Sequence, residues 1–215
     1  MKLKGIFGDS IEHMMATDIT DSSFPRECHH LPFPCTLDGS SCMSRDMFFV
    51  AMNDANRQFC HRYTGQNGGI NATRLSIYPF MKEIRDALFS SVTTNQGVKL
   101  TIFSGHDTVI APVLAALGVY QQRDFCVWPP YASRIIFEVY VKNEKPLKTM
   151  YDENHARNSV MIRVLYNGED VTRDITACSL VMSGSSLSLC PLGALEDQIS
   201  TLISPYDSID DACKM

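Results

Sequence analysis

Apolar residues recur at helical spacing over four stretches of this chain and cluster in strand-like runs over three others. The first helical stretch runs from Arg45 to about Tyr63, with Ser44 as its cap. Met47, Val50, Ala51, Ala55 and Phe59, together with Asp54, fall on one stripe, and Phe48 and Met52 widen it. A second helix is predicted from Ile77 to Ser91, with Pro79 in its first turn and Phe80, Ile84, Ala87 and Leu88 on its buried face. Val109 to Leu117 has helical character and closes on Gly118; Pro112 puts its start at about Thr108 to Ile110, with Asp107 at its lip. Pro191 opens a fourth helix carrying Leu192, Leu195, Ile199 and Leu202.

The strand-like runs differ in context. Val98, Leu100, Ile102 and Phe103 read as a buried strand entered from a turn at Asn95-Gln96-Gly97. Arg134–Lys142 and Ser159–Tyr166 read as an antiparallel pair at one side of a sheet, followed by an Asn167-Gly168 turn. Asn143 to Asn158 is polar and without period. Trp128 to Ser133, with Pro129 and Pro130, reads as a rigid aromatic loop, and Gly65, Gly68 and Gly69 as a loop with Asn71-Ala72-Thr73 at its far end. Residues 1–42 show no regular period, being broken by Pro25, Pro32, Pro34 and Gly39. These patterns divide the chain into a Cys/Pro-rich region (1–42), an α/β portion (43–203) and a polar tail (204–215).

Composition narrows the function classes. The net charge is −5 with no dense Lys/Arg run, which argues against a nucleic-acid partner. No apolar stretch approaches the ~20 residues of a membrane span. Eight cysteines suit disulfides in an oxidising compartment, with Cys178–Cys190 the specific expectation, and Asn71-Ala72-Thr73 is an N-glycosylation sequon. The stretch Met1 to Asp9 has a basic start but no apolar core, so a leader or membrane anchor is expected only in a preceding segment. Cys28, His29, His30, Cys35 and Cys42 are zinc-ligand types, but their spacing contains no tight CxxC pair; a disulfide-pinned loop is the plainer reading.

The candidate chemistry lies at Gly105-His106-Asp107, between the first strand-like run and a helix. That layout places ligand chemistry at the carboxyl end of a strand, and the positive end of the helix favours an anion. Gly105 lets a group approach the backbone closely. A carboxyl group beside a bound anion keeps its proton more readily and can hand it to a departing alkoxide, while a histidine hydrogen-bonds phosphoryl oxygens. The same three residues also suit a plain helix cap, with the carboxylate accepting backbone N–H bonds.

The order of motifs is more specific than any one of them. Phe103-Ser104-Gly105-His106-Asp107-Thr108, then Leu114 to Gly118, Pro129-Pro130-Tyr131-Ala132-Ser133-Arg134 and Phe137-Glu138-Val139-Tyr140 follow one another. Val164-Leu165-Tyr166-Asn167-Gly168 with Cys178, and Cys190-Pro191-Leu192, continue the series. From about residue 30 this resembles the C-terminal part of the histidine acid phosphatases. The resemblance implies an α/β fold: part of a histidine-phosphatase (phosphoglycerate mutase-like) sheet with flanking helices, its N-terminal portion lying outside this sequence. It implies a phosphomonoester hydrolase with Asp107 as proton donor and His106 as phosphate contact. It implies no cofactor and no metal, a phosphorylated small-molecule or glycan substrate such as the 2-phosphoxylose of the glycosaminoglycan–protein linker, and a secretory-pathway setting, the Golgi first with a lysosomal or secreted location as the alternative.

The family forms a phosphohistidine within an Arg-His-Gly-x-Arg-x-Pro motif, and no Arg-His-Gly occurs in this sequence. His13, His29, His30, His61 and His155 all lack that context, so neither a nucleophile nor a phosphate-clamping arginine is assigned. Acid–base help alone is worth roughly 10²–10⁴, so the chain by itself is expected to be inactive. Two other readings stay open: a non-catalytic relative that binds a phosphorylated or sulfated glycan, and a zinc-bound interaction module built on the Cys/His-rich front.

Overall fold

The computed structural model describes residues 2–8, 13–65, 69–94, 98–141, 152–182 and 188–214. The chain forms two compact units, Met1–Arg62 with Cys126–Trp128, and Tyr63–Phe125 with Pro129–Met215. Among the described residues no helix is long and apolar enough to cross a membrane.

The first unit holds α1 (Lys2–Phe7), α2 (Ala16–Cys28) and most of α3 (Arg45–Thr64). Ile19, Met43 and Phe48 centre its core, with Phe24, Phe33 and Met52 packed around them. Helices α1 and α2 correct the expectation of an irregular front. The buried face of α2 is Ile19, Thr20 and Ser23, so its core side carries hydroxyls rather than an apolar stripe. Asp18 accepts the N–H of Met15 at 2.7 Å and fixes the start of α2. Helix α3 begins where expected, with the Ser44 hydroxyl accepting the N–H of Met47 at 3.2 Å. Its buried residues are Phe48, Ala55 and Phe59, whereas Val50 points to solvent.

Two disulfides close loops in this unit. Cys35 is joined to Cys42, which removes both from any zinc set. Inside that loop Asp38 accepts from the Thr36 hydroxyl at 2.5 Å and from the Ser40 N–H at 3.0 Å. These bonds, the Thr36 one foremost, pull the Asp38 carboxyl down to about 2. Cys60 is joined to Cys126, and beside it Trp128 stacks on Phe59 at 5.6 Å while its backbone N–H donates to Asn56 Oδ1 at 3.0 Å.

In the second unit α4 spans Gly69–Thr93, eight residues longer at its start than the apolar pattern predicts. Pro79 therefore lies well inside α4, on its exposed side. Thr73, Ile77, Met81, Ile84 and Leu88 form the buried stripe, at spacings of four, four, three and four. The stripe opens on a threonine, so the sequence pattern understates its length. The sequon consequently lies in the first turn of α4 rather than in a loop. The predicted Asn95-Gln96-Gly97 turn and Gly68 lie outside the described residues.

The sheet is built on β1 (Ile135–Val141) and β2 (Val160–Tyr166), antiparallel with Ile135 opposite Tyr166 and Val141 opposite Val160. Strand β2 is alternately buried, with Val160, Ile162 and Val164 fully inside. The Asn167-Gly168 turn, with both residues at positive φ, leads into the short β3 (Glu169–Asp170). The segment before β2 contains α6 (Glu153–Ser159), whose cap is Asp152 accepting the His155 N–H at 2.8 Å. After a 3₁₀ turn at Thr172–Asp174 come α7 (Thr176–Val181), β4 (Cys190–Pro191), α8 (Leu192–Thr201) and α9 (Ile209–Ala212). The Cys178–Cys190 disulfide forms as expected and ties α7 to β4, which pairs with β2. Helix α8 buries Leu192, Leu195 and Ile199, with Leu202 just beyond its end, the predicted face. Glu196 on α8 receives Arg85 of α4 and Arg157 of α6. Together, helices and an antiparallel sheet make an α/β arrangement.

One expected element is not formed. Val98, Leu100, Ile102 and Phe103 are exposed, Leu100 by 73% and Ile102 by 79%, and residues 100–106 build no strand. A strand is defined by its ladder, and among the described residues nothing pairs with this run. Phe103 alone finds an anchor, an edge-on contact with Phe80 of α4 at 5.2 Å.

Candidate active site

The exposed run delivers the chain into α5 (Asp107–Ala116), a helix with nearly every residue after its first turn buried. Its entry is set by His106, whose extended backbone (φ −116°, ψ 174°) makes it the N-cap. The His106 carbonyl accepts from the N–H groups of Val109 at 2.9 Å and Ile110 at 3.1 Å, so the helix is closed from its first residue. Asp107 is that first residue, one position earlier than the proline suggests. Pro112 is the sixth residue of α5 and is buried, so tertiary packing outweighs the lost backbone bond. A side chain at Gly105 would meet Val109 at 3.3 Å, tight but not closed.

The far end of α5 is fixed more firmly. Gly118 N–H donates to the Ala115 carbonyl at 3.0 Å and Val119 N–H to the Leu114 carbonyl at 2.9 Å, the two bonds of a Schellman cap. Gly118 has φ +78°, and a Cβ there would fall 2.1 Å from the Thr176 hydroxyl, so only glycine fits. Thr176 N–H and the Gln198 amide then satisfy the carbonyls of Leu117 at 3.2 Å and Ala116 at 2.9 Å. The capped turn leads directly to Tyr120, which is fully buried.

At the entry, the His106 side chain is exposed and Asp107 half-buried. Asp107 Oδ1 accepts the N–H of Thr108 at 2.7 Å, which holds the carboxyl across the open first turn. Tyr120 is its electrostatic neighbour. Burial foremost, then the Tyr166 and Tyr63 phenols and the Asp107 carboxylate, pushes the Tyr120 phenol well above its ordinary value. The apolar pattern contained no sign of this tyrosine; its place follows from the cap at Gly118.

The structure thus brings His106 and Asp107 together at one helix end. It provides an imidazole, a carboxyl group and the positive end of a helix side by side at the protein surface. That set suits binding an oxyanion and delivering a proton to it. A cavity of about 110 Å³ elsewhere in the unit is lined by Tyr78, Lys82 and Arg85 of α4 and by Glu196 and Ile199 of α8. Arg85 there is paired with Glu196 and Asp86, and neither His106 nor Asp107 is among the lining residues.

The sequence profile of the histidine phosphatase superfamily (branch 2) matches residues 50–167. The chain is 28% identical over 213 residues to 2-phosphoxylose phosphatase 1 of Xenopus tropicalis, covering 97% of this chain and 38% of that protein. It is 27% identical over 186 residues to 2-phosphoxylose phosphatase 1 of Homo sapiens, covering 84% of this chain and 34% of that protein. It is 33% identical over 115 residues to putative acid phosphatase 11 of Caenorhabditis elegans, covering 52% of this chain and 24% of that protein. The chain therefore spans well under half the length of these curated relatives. The profile match extends over more than half of the chain and includes α5 with its His106 cap, and the chain belongs to the histidine phosphatase superfamily, branch 2.

Proposed function

We propose that this chain is part of a phosphomonoester hydrolase that acts on a phosphorylated sugar in the secretory pathway. Asp107 protonates the leaving alkoxide, and His106 hydrogen-bonds the phosphoryl oxygens. The observation that carries the reading is the placement of both residues at the first turn of α5, with the imidazole open to solvent. Similarity to 2-phosphoxylose phosphatases supports a sugar phosphate as substrate, with 2-phosphoxylose in a glycosaminoglycan linker the specific candidate. Three disulfides suit an oxidising compartment, and the Golgi is the proposed one.

The nucleophile and the phosphate-clamping arginines are proposed to come from sequence outside this chain. The relatives have the length to carry them, and the exposed Val98–Phe103 run has the composition of a strand that such a segment would pair with. This chain alone is then expected to hydrolyse no phosphomonoester above background, and the longer protein containing it to do so. In that longer protein, His106→Ala should weaken competitive inhibition by inorganic phosphate about tenfold or more, since a hydrogen bond to a charged group is worth about 1.5–3 kcal/mol. Unchanged inhibition would take His106 out of the phosphate site.

A further inference from the structure

Asn71 and Thr73 face opposite ways, and the sequon depends on both. Two residues along an α-helix turn about 200°. Thr73 opens the buried stripe of α4 and is 4% exposed, whereas Asn71 and Ala72 lie on the solvent side. The Thr73 hydroxyl donates to the Gly69 carbonyl at 2.7 Å. Arg74, the next residue, bonds the carbonyls of Thr201 and Ser204 and so fastens this first turn to the end of α8. In the folded unit, then, the amide to be modified is presented, but the hydroxyl that makes the triplet an acceptor is buried and bonded within the helix.

We propose that Asn71 carries an N-linked glycan, and that it is attached before α4 packs. The donor is an oligosaccharide linked to a lipid pyrophosphate. The Asn71 side-chain nitrogen forms a bond to the anomeric carbon, the bond from that carbon to the pyrophosphate oxygen breaks, and the amide gives up one proton to the medium. The lipid pyrophosphate leaves. The glycan then projects from the outer side of α4, and Thr73 returns to its bond with Gly69 without disturbing the stripe behind it.

The proposal rests on the secretory reading, and the test separates the two. The full chain is expressed behind a signal sequence in secreting animal cells. Its gel mobility is compared before and after treatment with a glycan-releasing amidase, and its free thiols are counted. The expected result is two free thiols, Cys28 and Cys213, and a mobility shift on amidase treatment. Asn71→Gln should abolish the shift, and Thr73→Ser should keep it. Two free thiols without a shift in the unsubstituted chain would overturn glycosylation at Asn71 and leave the secretory reading standing; eight free thiols would overturn both. The timing is tested on oxidised, unglycosylated chain given oligosaccharyltransferase and a lipid-linked donor. Folded chain should accept no glycan, while reduced and denatured chain should accept it at Asn71. Equal acceptance by both would overturn attachment before packing.

Discussion

The β1–β2 pair and the Val98–Phe103 run are both rich in β-branched and bulky apolar residues, and they end differently. In the pair every residue from Ile135 to Val141 faces a partner from Tyr166 to Val160. In the run Leu100 and Ile102 lie open and no ladder forms among the described residues. Strand propensity describes a surface that suits a pleated sheet; the pairing itself must come from a second strand. For β1 that partner is close by in the sequence. For the run no such strand lies among the described residues.

The largest expected effect contrasts the two directly. Ile162, fully buried in β2, should cost about 2–5 kcal/mol when changed to Ala. Ile102→Ala should stay within about 0.5 kcal/mol, as an exposed substitution does. Urea midpoints of the two variants measure this; an equal loss would mean that the run is paired in solution. Next is the clamp beside the β1–β2 pair. Replacing Cys178 and Cys190 by Ser frees a 12-residue separation and should cost about 3 kcal/mol by loop-closure entropy, again read from urea midpoints. A negligible change would show that β4 is held beside β2 by packing alone.

The smallest effect is on the outer face of the β1–β2 pair. Glu138 accepts from Arg163 Nε at 2.7 Å and from the Tyr140 hydroxyl at 2.8 Å. These bonds, Arg163 first, hold its carboxyl below the ordinary value of 4.5. A carboxyl lowered by folding adds stability above its unfolded value and loses it as pH falls through the folded one. Nuclear magnetic resonance titration should therefore find the Glu138 midpoint below 4.5, and Arg163→Ala should move it back up. A midpoint that ignores Arg163 would remove this cross-strand pair from the account.

The same contrast explains what the sequence reveals. Helices α3 and α8, the antiparallel pair and the Cys178–Cys190 bond were legible because each rests on local periodicity or short separation. The first turns of α4 were not, because Thr73 occupies a core position with a polar side chain satisfied by its own helix. Helix α2 was hidden because two of its three buried positions, Thr20 and Ser23, carry hydroxyl side chains and so break the apolar period. His106 and Asp107 were legible as neighbours at a helix start, since a cap is a local event. Tyr120 was not, because its nearness to Asp107 depends on the turn at Gly118 and on burial under several elements.

The central claim is that Asp107 gives a proton to the leaving group, and leaving-group dependence tests it most directly. In the longer protein, kcat/KM of Asp107→Asn should be compared with the parent on a sugar phosphate and on an aryl phosphate. Alkoxides need protonation and stabilised phenolates hardly do, so the loss should be roughly 10²–10⁴-fold on the sugar phosphate and under about tenfold on the aryl one. Equal losses on both substrates would contradict the claim.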